Sequence, residues 1–342
     1  MSDDLPIIDI SPLVEPSSLP ESVASVAAQL DAACRQRGFF YVTGHDIDPD
    51  RLAALRAASV EFFSRPETDK ASISMARGGR AWRGWFPLGG ELTSGVADGK
   101  EGIYFGAELD RSDPRVVAGI ALHGPNLFPD EPAELAPLVS AWIEDLTALG
   151  QQICRGLAIA LGLDADWFAR ELCADPTVLF RIFRYPPTQP PMALPASDSW
   201  GVGEHTDYGL LTILATDDVP GLEVRSPDGT WAAAPPIPGA FICNLGDMLD
   251  RMTSGRWRST PHRVRNNSAG DRYSFPFFFD PSWDAQIGPL PLDGEVPPDD
   301  ADTRWDGRSL HASGSGALSG TYGDYLLDKV GRVFPQLGEH HL

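Results

Sequence analysis

Little in this chain is basic, cysteine-rich or apolar enough to cross a bilayer. Of its 342 residues only 27 are Lys or Arg, against 48 Asp or Glu, for a formal net charge of −21 at pH 7. So acidic a surface repels phosphate backbones and anionic headgroups, which argues against nucleic acid and membrane surfaces as partners. Four cysteines (Cys34, Cys154, Cys173 and Cys243) stand far apart with no Cys-x-x-Cys pair. Neither a disulfide framework nor a cysteine metal site is expected, and they read as small buried hydrophobes. No apolar run approaches the ~20 residues of a transmembrane helix. The opening Met-Ser-Asp-Asp-Leu-Pro has no basic segment followed by an apolar one, so a cytoplasmic protein is expected. Two enzyme signatures are missing as well. There is no Gly-x-Ser-x-Gly elbow. Gly201-Val202-Gly203 places Thr206 where a dinucleotide fingerprint needs its third glycine.

What is present is the composition of a soluble globular protein, 42% hydrophobic and 22% charged. The length suits one sizeable domain or two tightly joined ones. Pro6 to Ile10 predicts a short strand. From Pro20 to Arg37, Val23, Val26, Ala27, Leu30 and Cys34 recur at helical spacing, with Gly38 placed to end the helix. Residues 38–42 read as a buried strand, and a second helix is expected from about Asp50 to Ser64, ahead of Pro66. Residues 75–100, rich in Gly, Arg and Trp, predict a long irregular loop of functional character. A long helix is expected over Glu134 to Leu163, with Leu138, Trp142, Leu146, Leu149, Ile153 and Leu157 along one side.

At Pro176 the period changes. Val178, Phe180 and Ile182 alternate with Leu179, Arg181 and Phe183, the pattern of a strand. Short strands follow at 210–215, 221–224, 230–233, 240–244, 262–265 and 272–279, which predicts a sandwich or barrel rather than a parallel sheet. The Pro-rich stretch 186–195 reads as a loop. Residues 281–319 are poorly patterned, and a last helix is expected near 322–333.

Chemistry concentrates in the strand-rich part. His205 and Asp207 are one residue apart, so an extended strand would put both on one face. After 54 intervening residues comes His262, and after nine more Arg272-Tyr273-Ser274. Two imidazoles and one carboxylate make a three-cornered face that holds ferrous iron and leaves positions open for an organic acid and dioxygen. Arg272 and Ser274 point to the same side of a strand, where a charge-assisted fork and a hydroxyl can grip a carboxylate.

Residues 179–281 resemble the iron(II)/2-oxoglutarate-dependent oxygenases, in the branch typified by isopenicillin N synthase and plant flavonoid oxygenases. The resemblance is carried by Arg184-Tyr185-Pro186, by the run from His205 to Thr212, and by Val219-Pro220-Gly221-Leu222-Glu223-Val224. It continues through Asn244-Leu245-Gly246-Asp247, the run from Ser259 to Val264, and Arg272-Tyr273-Ser274-Phe275. Leu5 to Asp9, Gly38 to Val42 and Asp98 to Gly106 look like that branch's amino-terminal domain. The resemblance implies a mainly β protein with flanking helices around a double-stranded β-helix (jelly roll) core. Residues 1–175 would form the amino-terminal region, 176–282 the core, and 283–342 a tail with a closing helix. It further implies that His205, Asp207 and His262 ligate Fe(II), and that Arg272 and Ser274 bind the far carboxylate of 2-oxoglutarate. Tyr185 sits where the branch often has a tyrosine reaching that cosubstrate. Two residues earlier, plant members commonly carry an asparagine where this chain has Phe183.

The implied reaction consumes dioxygen and 2-oxoglutarate, releases succinate and CO2, and hydroxylates, desaturates or cyclises a small organic molecule. Some members of the branch keep the fold and dispense with 2-oxoglutarate, isopenicillin N synthase among them, and others form ethylene from it. From other classes, a zinc hydrolase or isomerase on the same metal face leaves Arg272 and Ser274 unexplained. A non-catalytic binding protein would be expected to have lost a ligand. Candidates for the substrate pocket are Trp82, Arg83, Trp85, Tyr104 and Phe105 in the loop 82–105, Phe277 and Phe279 after the anchor, and the last helix. His45, His123, His311, His340 and His341 are expected in structural or solvent roles. Asp247 suits either a place behind the ligands or an Asx turn.

Overall fold

The computed structural model describes residues 4–93, 95–187, 200–292 and 320–333. Fourteen strands are formed among them: β1 (Ile7–Asp9), β2 (Phe39–Thr43), β3 (Gly84–Phe86), β4 (Leu92–Thr93), β5 (Val96–Ala97), β6 (Glu101–Gly106) and β7 (Pro176–Tyr185) in the first part of the chain. The second part holds β8 (Val202–His205), β9 (Leu211–Thr216), β10 (Leu222–Arg225), β11 (Trp231–Ala233), β12 (Phe241–Leu245), β13 (His262–Val264) and β14 (Arg272–Ser282). An eight-stranded sheet runs β1-β2-β12-β9-β14-β7-β6-β3 and a four-stranded one β11-β10-β13-β8. Apart from the parallel β1–β2 pair, the neighbours in both are antiparallel. This is the expected double-stranded β-helix, mainly β with flanking helices.

Side chains alternate across the pleat, so register decides which residues face inward. On one face of the large sheet lie Asn244, Thr212, Ser274, Arg272, Phe183, Tyr185 and Tyr104, matched strand to strand by the pairing. That face looks toward the small sheet: Asn244 and Thr212 both reach Asp207, and Phe39 meets His262 edge-on at 5.1 Å between ring centroids. The opposite face carries Phe105, Phe180, Phe277 and Phe279. Phe105 and Phe180 stack at 6.0 Å, and Phe279 lies against Gly150 of the long helix.

That helix, Leu135–Ala160, buries Val139, Trp142, Leu146, Leu149, Ile153 and Leu157 and packs on the helices Pro20–Gln36 and Pro49–Ser64. Its apolar stripe recurs at helical spacing, as expected. Gly38 ends the helix Pro20–Gln36 in the left-handed region, φ +64°, with its N–H returning to Ala33 O at 3.0 Å. A Cβ there would stand 1.7 Å from Arg258 O. Only glycine lets β2 come this close to the segment that leads into His262.

The expectation of an irregular loop over 75–100 is corrected. The stretch contains two short helical turns, Met75–Gly78 and Gly79–Ala81, and strands β3, β4 and β5. Strands of two or three residues are too short to show a period. They are held instead by side-chain bonds, such as Trp85 Nε1 and Lys70 Nζ to Glu101 Oε2 at 2.9 and 2.7 Å. The last helix spans Tyr322–Val333, as expected, and Tyr325 donates its hydroxyl to Tyr208 O at 2.6 Å. Most of the Pro-rich stretch 186–195, most of the tail 281–319, and His311, His340 and His341 lie outside the described residues.

Candidate active site

β8 ends at His205, β13 begins at His262, and the two histidines are paired across the ladder with ring centroids 4.2 Å apart. Asp207 is not on β8. The chain leaves the sheet after His205, and its carboxylate turns back toward both imidazoles. Asp207 Oδ1 stands 3.9 Å from His205 Nε2 and 3.8 Å from His262 Nε2. One ligand atom from each of the three residues lies within 4.8 Å of the others.

The turn that brings Asp207 back is held by backbone. Asp247 N–H donates to Asp207 O at 2.8 Å, Met248 N–H to Tyr208 O at 3.1 Å, and Gly246 N–H to Leu210 O at 3.2 Å. These donors sit at the start of the helix Asp247–Met252, whose first N–H groups have no partner within the helix. Gly246 is required by proximity: a Cβ there would stand 2.3 Å from Gly209 O. Asp247 is buried behind the ligands, accepting from Ser259 Oγ at 2.9 Å, and burial pushes its carboxyl up to about 6.

Each potential ligand is oriented by a second bond. His205 Nδ1 lies 2.8 Å from Gly203 O and His262 Nδ1 3.2 Å from Thr260 O. A carbonyl only accepts, so Nδ1 carries the hydrogen and the Nε2 lone pair faces the metal position. Asp207 Oδ2 accepts from Thr212 Oγ1 at 2.6 Å and Asn244 Nδ2 at 2.7 Å, which leaves Oδ1 available. Burial lowers the His262 imidazole to about 4, with His205 adding to the effect. Burial lowers His205 too, against the pull of Asp207. For Asp207 burial acts upward, but the two imidazoles and the bonds from Asn244 and Thr212 outweigh it and hold the carboxyl below its ordinary range. Neutral imidazoles beside an ionised carboxylate are what a divalent metal requires, and this donor set fits Fe(II). Side-chain exposure is 28% at His205 against 10% at Asp207 and 8% at His262, so the open side of the site is at His205.

The residues expected to form the anchor lie together on the same inner face of the large sheet. Arg272 pairs with Tyr185, and Ser274 with Phe183, across β14 and β7. Tyr185 Oη and Ser274 Oγ are 3.3 Å apart, and the Arg272 guanidinium lies 5.0 Å from the Tyr185 ring centroid. All three are buried. Arg272 Nε donates to Val219 O at 3.2 Å, whereas Nη1 is buried with no partner among the described residues. An orphaned, buried guanidinium nitrogen beside two hydroxyls suits a carboxylate. The residues present fit 2-oxoglutarate. Burial raises the Tyr185 phenol, so its hydroxyl keeps its proton.

The pocket candidates divide by register. Tyr104 faces inward on β6, opposite Arg181. Trp85, Phe105, Phe277 and Phe279 are corrected: they occupy the alternate positions of their strands and turn away from His205, Asp207 and His262. Trp82 and Arg83 are buried, with Arg83 Nη2 donating to Leu122 O at 2.9 Å. Sequence reasoning missed a group of charges next to the ligands. Lys100 Nζ sits 2.9 Å from Glu91 Oε2 and 2.5 Å from Asp98 Oδ2, and the Tyr104 hydroxyl donates to Glu91 Oε1. Lys100 Nζ lies 4.7 Å from the Phe183 ring centroid and Glu91 is held by Tyr104, and both aromatic residues are on the inner face, so the group sits beside the site. Nothing in the spacing of 91, 98 and 100 signals this, because they converge only through β4 to β6. His45 stacks on Phe241, His123 meets Trp283 edge-on, and the four cysteines are buried, as expected. Among the described residues no helix is long and apolar enough to cross a membrane.

Comparison with known proteins agrees with this geometry. A profile described as the 2OG-Fe(II) oxygenase superfamily matches residues 176–281, and one described as non-haem dioxygenase in morphine synthesis N-terminal matches residues 5–131. A Dictyostelium discoideum protein named probable iron/ascorbate oxidoreductase is 43% identical over 98% of this chain and 96% of its own. The 1-aminocyclopropane-1-carboxylate oxidase of the same organism is 36% identical over 97% of this chain and 96% of its own. A homoarginine-6-hydroxylase of Arabidopsis thaliana is 38% identical over 84% and 88%. Among solved structures, a Caulobacter crescentus 2OG-Fe(II) oxygenase family protein superposes with a TM-score of 0.75 at 26% identity, covering 96% of this chain and 98% of that one. A full-length Neurospora crassa protein solved in complex with alpha-KG gives a TM-score of 0.74 at 25% identity, covering 95% of each chain.

Proposed function

Because the chain belongs to the 2OG-Fe(II) oxygenase superfamily, we propose that His205, Asp207 and His262 are its iron ligands and that Arg272, Ser274 and Tyr185 hold the far carboxylate of 2-oxoglutarate. The protein is an enzyme, a non-haem iron dioxygenase using Fe(II), 2-oxoglutarate and dioxygen. Iron and cosubstrate, when bound, supply the power to oxidise a C–H bond, with 2-oxoglutarate leaving as succinate and CO2. The chain's own part is to hold and to orient. The carbonyls of Gly203 and Thr260 aim the imidazoles, while Asn244 and Thr212 tie the outer oxygen of Asp207. Arg272 offers its unpaired Nη1, and Tyr185 and Ser274 add hydroxyls beside it.

The observation that carries the assignment is that orphaned guanidinium nitrogen, on the sheet face whose other side chains grip Asp207. Anaerobic titration of the Fe(II) protein with 2-oxoglutarate tests it. A weak visible charge-transfer band is expected to rise and saturate, and to vanish in Arg272→Gln. A missing band with iron bound would move the chain toward the iron/ascorbate chemistry named for its Dictyostelium relative.

Finer assignments follow from the same reading. We place the chain in the isopenicillin N synthase-like branch, with 1–175 as amino-terminal region, 176–282 as oxygenase core and 283–342 as tail and closing helix. The substrate is a small molecule. Homoarginine and 1-aminocyclopropane-1-carboxylate, named for relatives, are amino acids, and the charges around Lys100 suit a molecule of that polarity. We also read the protein as a cytoplasmic enzyme, and its net charge of −21 argues against nucleic-acid and anionic-membrane partners.

A further inference from the structure

The strand that carries Tyr185 also carries an arginine whose donors are unused among the described residues. Alternation along β7 puts Arg181, Phe183 and Tyr185 on one face, the face that β14 completes with Arg272 and Ser274. The Arg181 guanidinium lies 3.5 Å from the ring centroid of Tyr104 and 5.3 Å from that of Phe278. Among the described residues it makes no hydrogen bond and no ion pair. Two aromatic faces offset part of its lost hydration. They leave its in-plane N–H groups free, and those donors are what a guanidinium presents to a carboxylate.

The acids nearby are engaged elsewhere. Glu91 is taken by Lys100 and the Tyr104 hydroxyl, and Asp280 Oδ1 accepts the Leu210 N–H at 2.7 Å. A second guanidinium, Arg83, is buried beside Arg181 with its Nε unpaired, and burial together with Arg181 lowers it to about 9. Glu108 offsets the charge of Arg83, whereas Arg181 has no carboxylate in an ion pair among the described residues and stays open to an anionic ligand. That ligand cannot share the cosubstrate's carboxylate. Arg181 is four residues from Tyr185, about 13 Å along an extended strand, whereas Arg272 is directly opposite Tyr185. The distance leaves room for cosubstrate and substrate to lie side by side. Phe278, 5.3 Å from the Arg181 guanidinium, pairs across the sheet with Thr212, whose hydroxyl bonds to Asp207, so Arg181 shares the inner face that reaches the metal position.

We propose that Arg181 receives a carboxylate of the organic substrate, so that the enzyme oxidises a small carboxylic or amino acid held between Arg181 and the iron. The proposal rests on the iron and 2-oxoglutarate roles given above. Tyr104, fixed by Glu91, holds the guanidinium flat and ready, which limits the ordering needed when the acid binds.

The test uses the Fe(II)·2-oxoglutarate enzyme without oxygen, as wild type, Arg181→Gln, Arg181→Lys and Arg272→Gln. The chelate band is the control: kept in both Arg181 variants, which shows a folded site, and lost in Arg272→Gln. L-Arginine, L-homoarginine and 1-aminocyclopropane-1-carboxylate are then added, each as free acid and as primary amide, and perturbation of the band is followed. A free acid is expected to perturb the wild-type band, with its amide needing about thirtyfold more or beyond, the lower end for truncating one partner of a buried charge pair. Arg181→Gln should raise the half-saturation of the acid by a similar factor and erase its advantage over the amide. Arg181→Lys should recover part of it. Equal binding of acid and amide by the wild type, wild-type affinity in Arg181→Gln, or no response to any of the three acids would overturn the proposal. A wild type without the band would instead overturn the cosubstrate assignment, and this proposal with it.

Discussion

Asn244 Nδ2 donates to Asp207 Oδ2 at 2.7 Å, from the middle of the large sheet to a residue that has already left the small one. The bond joins the two halves of the jelly roll at the metal position. Thr212 Oγ1 reaches the same oxygen at 2.6 Å, so the carboxylate is clamped on one side and presents Oδ1 on the other. Asn244→Ala removes one jaw of the clamp and frees the carboxylate to rotate. Iron affinity should fall about 10–100-fold, the range for lost outer partners of metal ligands. Competition with a chromophoric chelator measures it. An unchanged affinity would mean that Thr212 alone orients Asp207.

On the proposed reading, Tyr185 should contribute less to the anchor than Arg272. Its hydroxyl is a neutral donor, since burial raises the phenol, and it already shares Ser274 Oγ at 3.3 Å. Tyr185→Phe should weaken 2-oxoglutarate by about 0.5–1.5 kcal/mol, the net value of one neutral hydrogen bond. Arg272→Gln should cost about 2–5 kcal/mol, because it leaves a buried charge unpaired. Titration of the two variants side by side gives the ranking, and a reversed order would move the anchor to the tyrosine.

The clustering of His205, Asp207 and His262 and the residues proposed as anchor are legible because both depend on residue type and spacing. Two histidines, an aspartate and an Arg-x-Ser pair belong to few other chemistries, and the helices declared themselves by period. What escaped was whatever depends on register. Arg181 stands two and four residues before Phe183 and Tyr185, so its face was implicit in the alternation, yet which face is inner is settled only by pairing with β6 and β14. Position after the anchor likewise suggests Phe277 and Phe279 for the pocket, whereas the register turns Phe278 inward. The His-x-Asp spacing predicts Asp207 on a strand with His205. Asp207 lies in a turn because the backbone at 246–248 captures the chain there, a contact between segments about forty residues apart. The strands at 84–97 were hidden by their shortness.

Gly246 makes that capture possible. A methyl group there would stand 2.3 Å from Gly209 O, 2.8 Å from Gly209 C and 2.8 Å from Gly209 N, all of them backbone atoms that cannot rotate away. Gly246→Ala must therefore displace the turn 207–210, which hydrogen-bonds to residues 246–248. The variant should keep the sheet but hold iron at least about tenfold more weakly, as a misplaced ligand would. Far-ultraviolet dichroism together with the chelator assay separates the two effects. Wild-type iron affinity in a folded variant would show that the turn tolerates the shift.

Asp280 gives a pH signature apart from the metal. Its buried Oδ1 accepts the Leu210 N–H at 2.7 Å, and burial pushes the carboxyl up to about 6 from an ordinary 3.8. Between those values the folded protein binds more protons at this residue than the unfolded chain does. This contribution to stability is therefore full below about pH 3.8, is lost as pH rises through about 6, and is flat above. Asp280→Asn keeps the acceptor for Leu210 and has no charge to desolvate. Relative to wild type, its melting temperature should be higher at pH 8 than at pH 5, with the difference appearing between those values. Thermal unfolding of both proteins at the two pH values is the measurement. A difference independent of pH would mean that Asp280 does not change charge in the folded protein between pH 5 and pH 8.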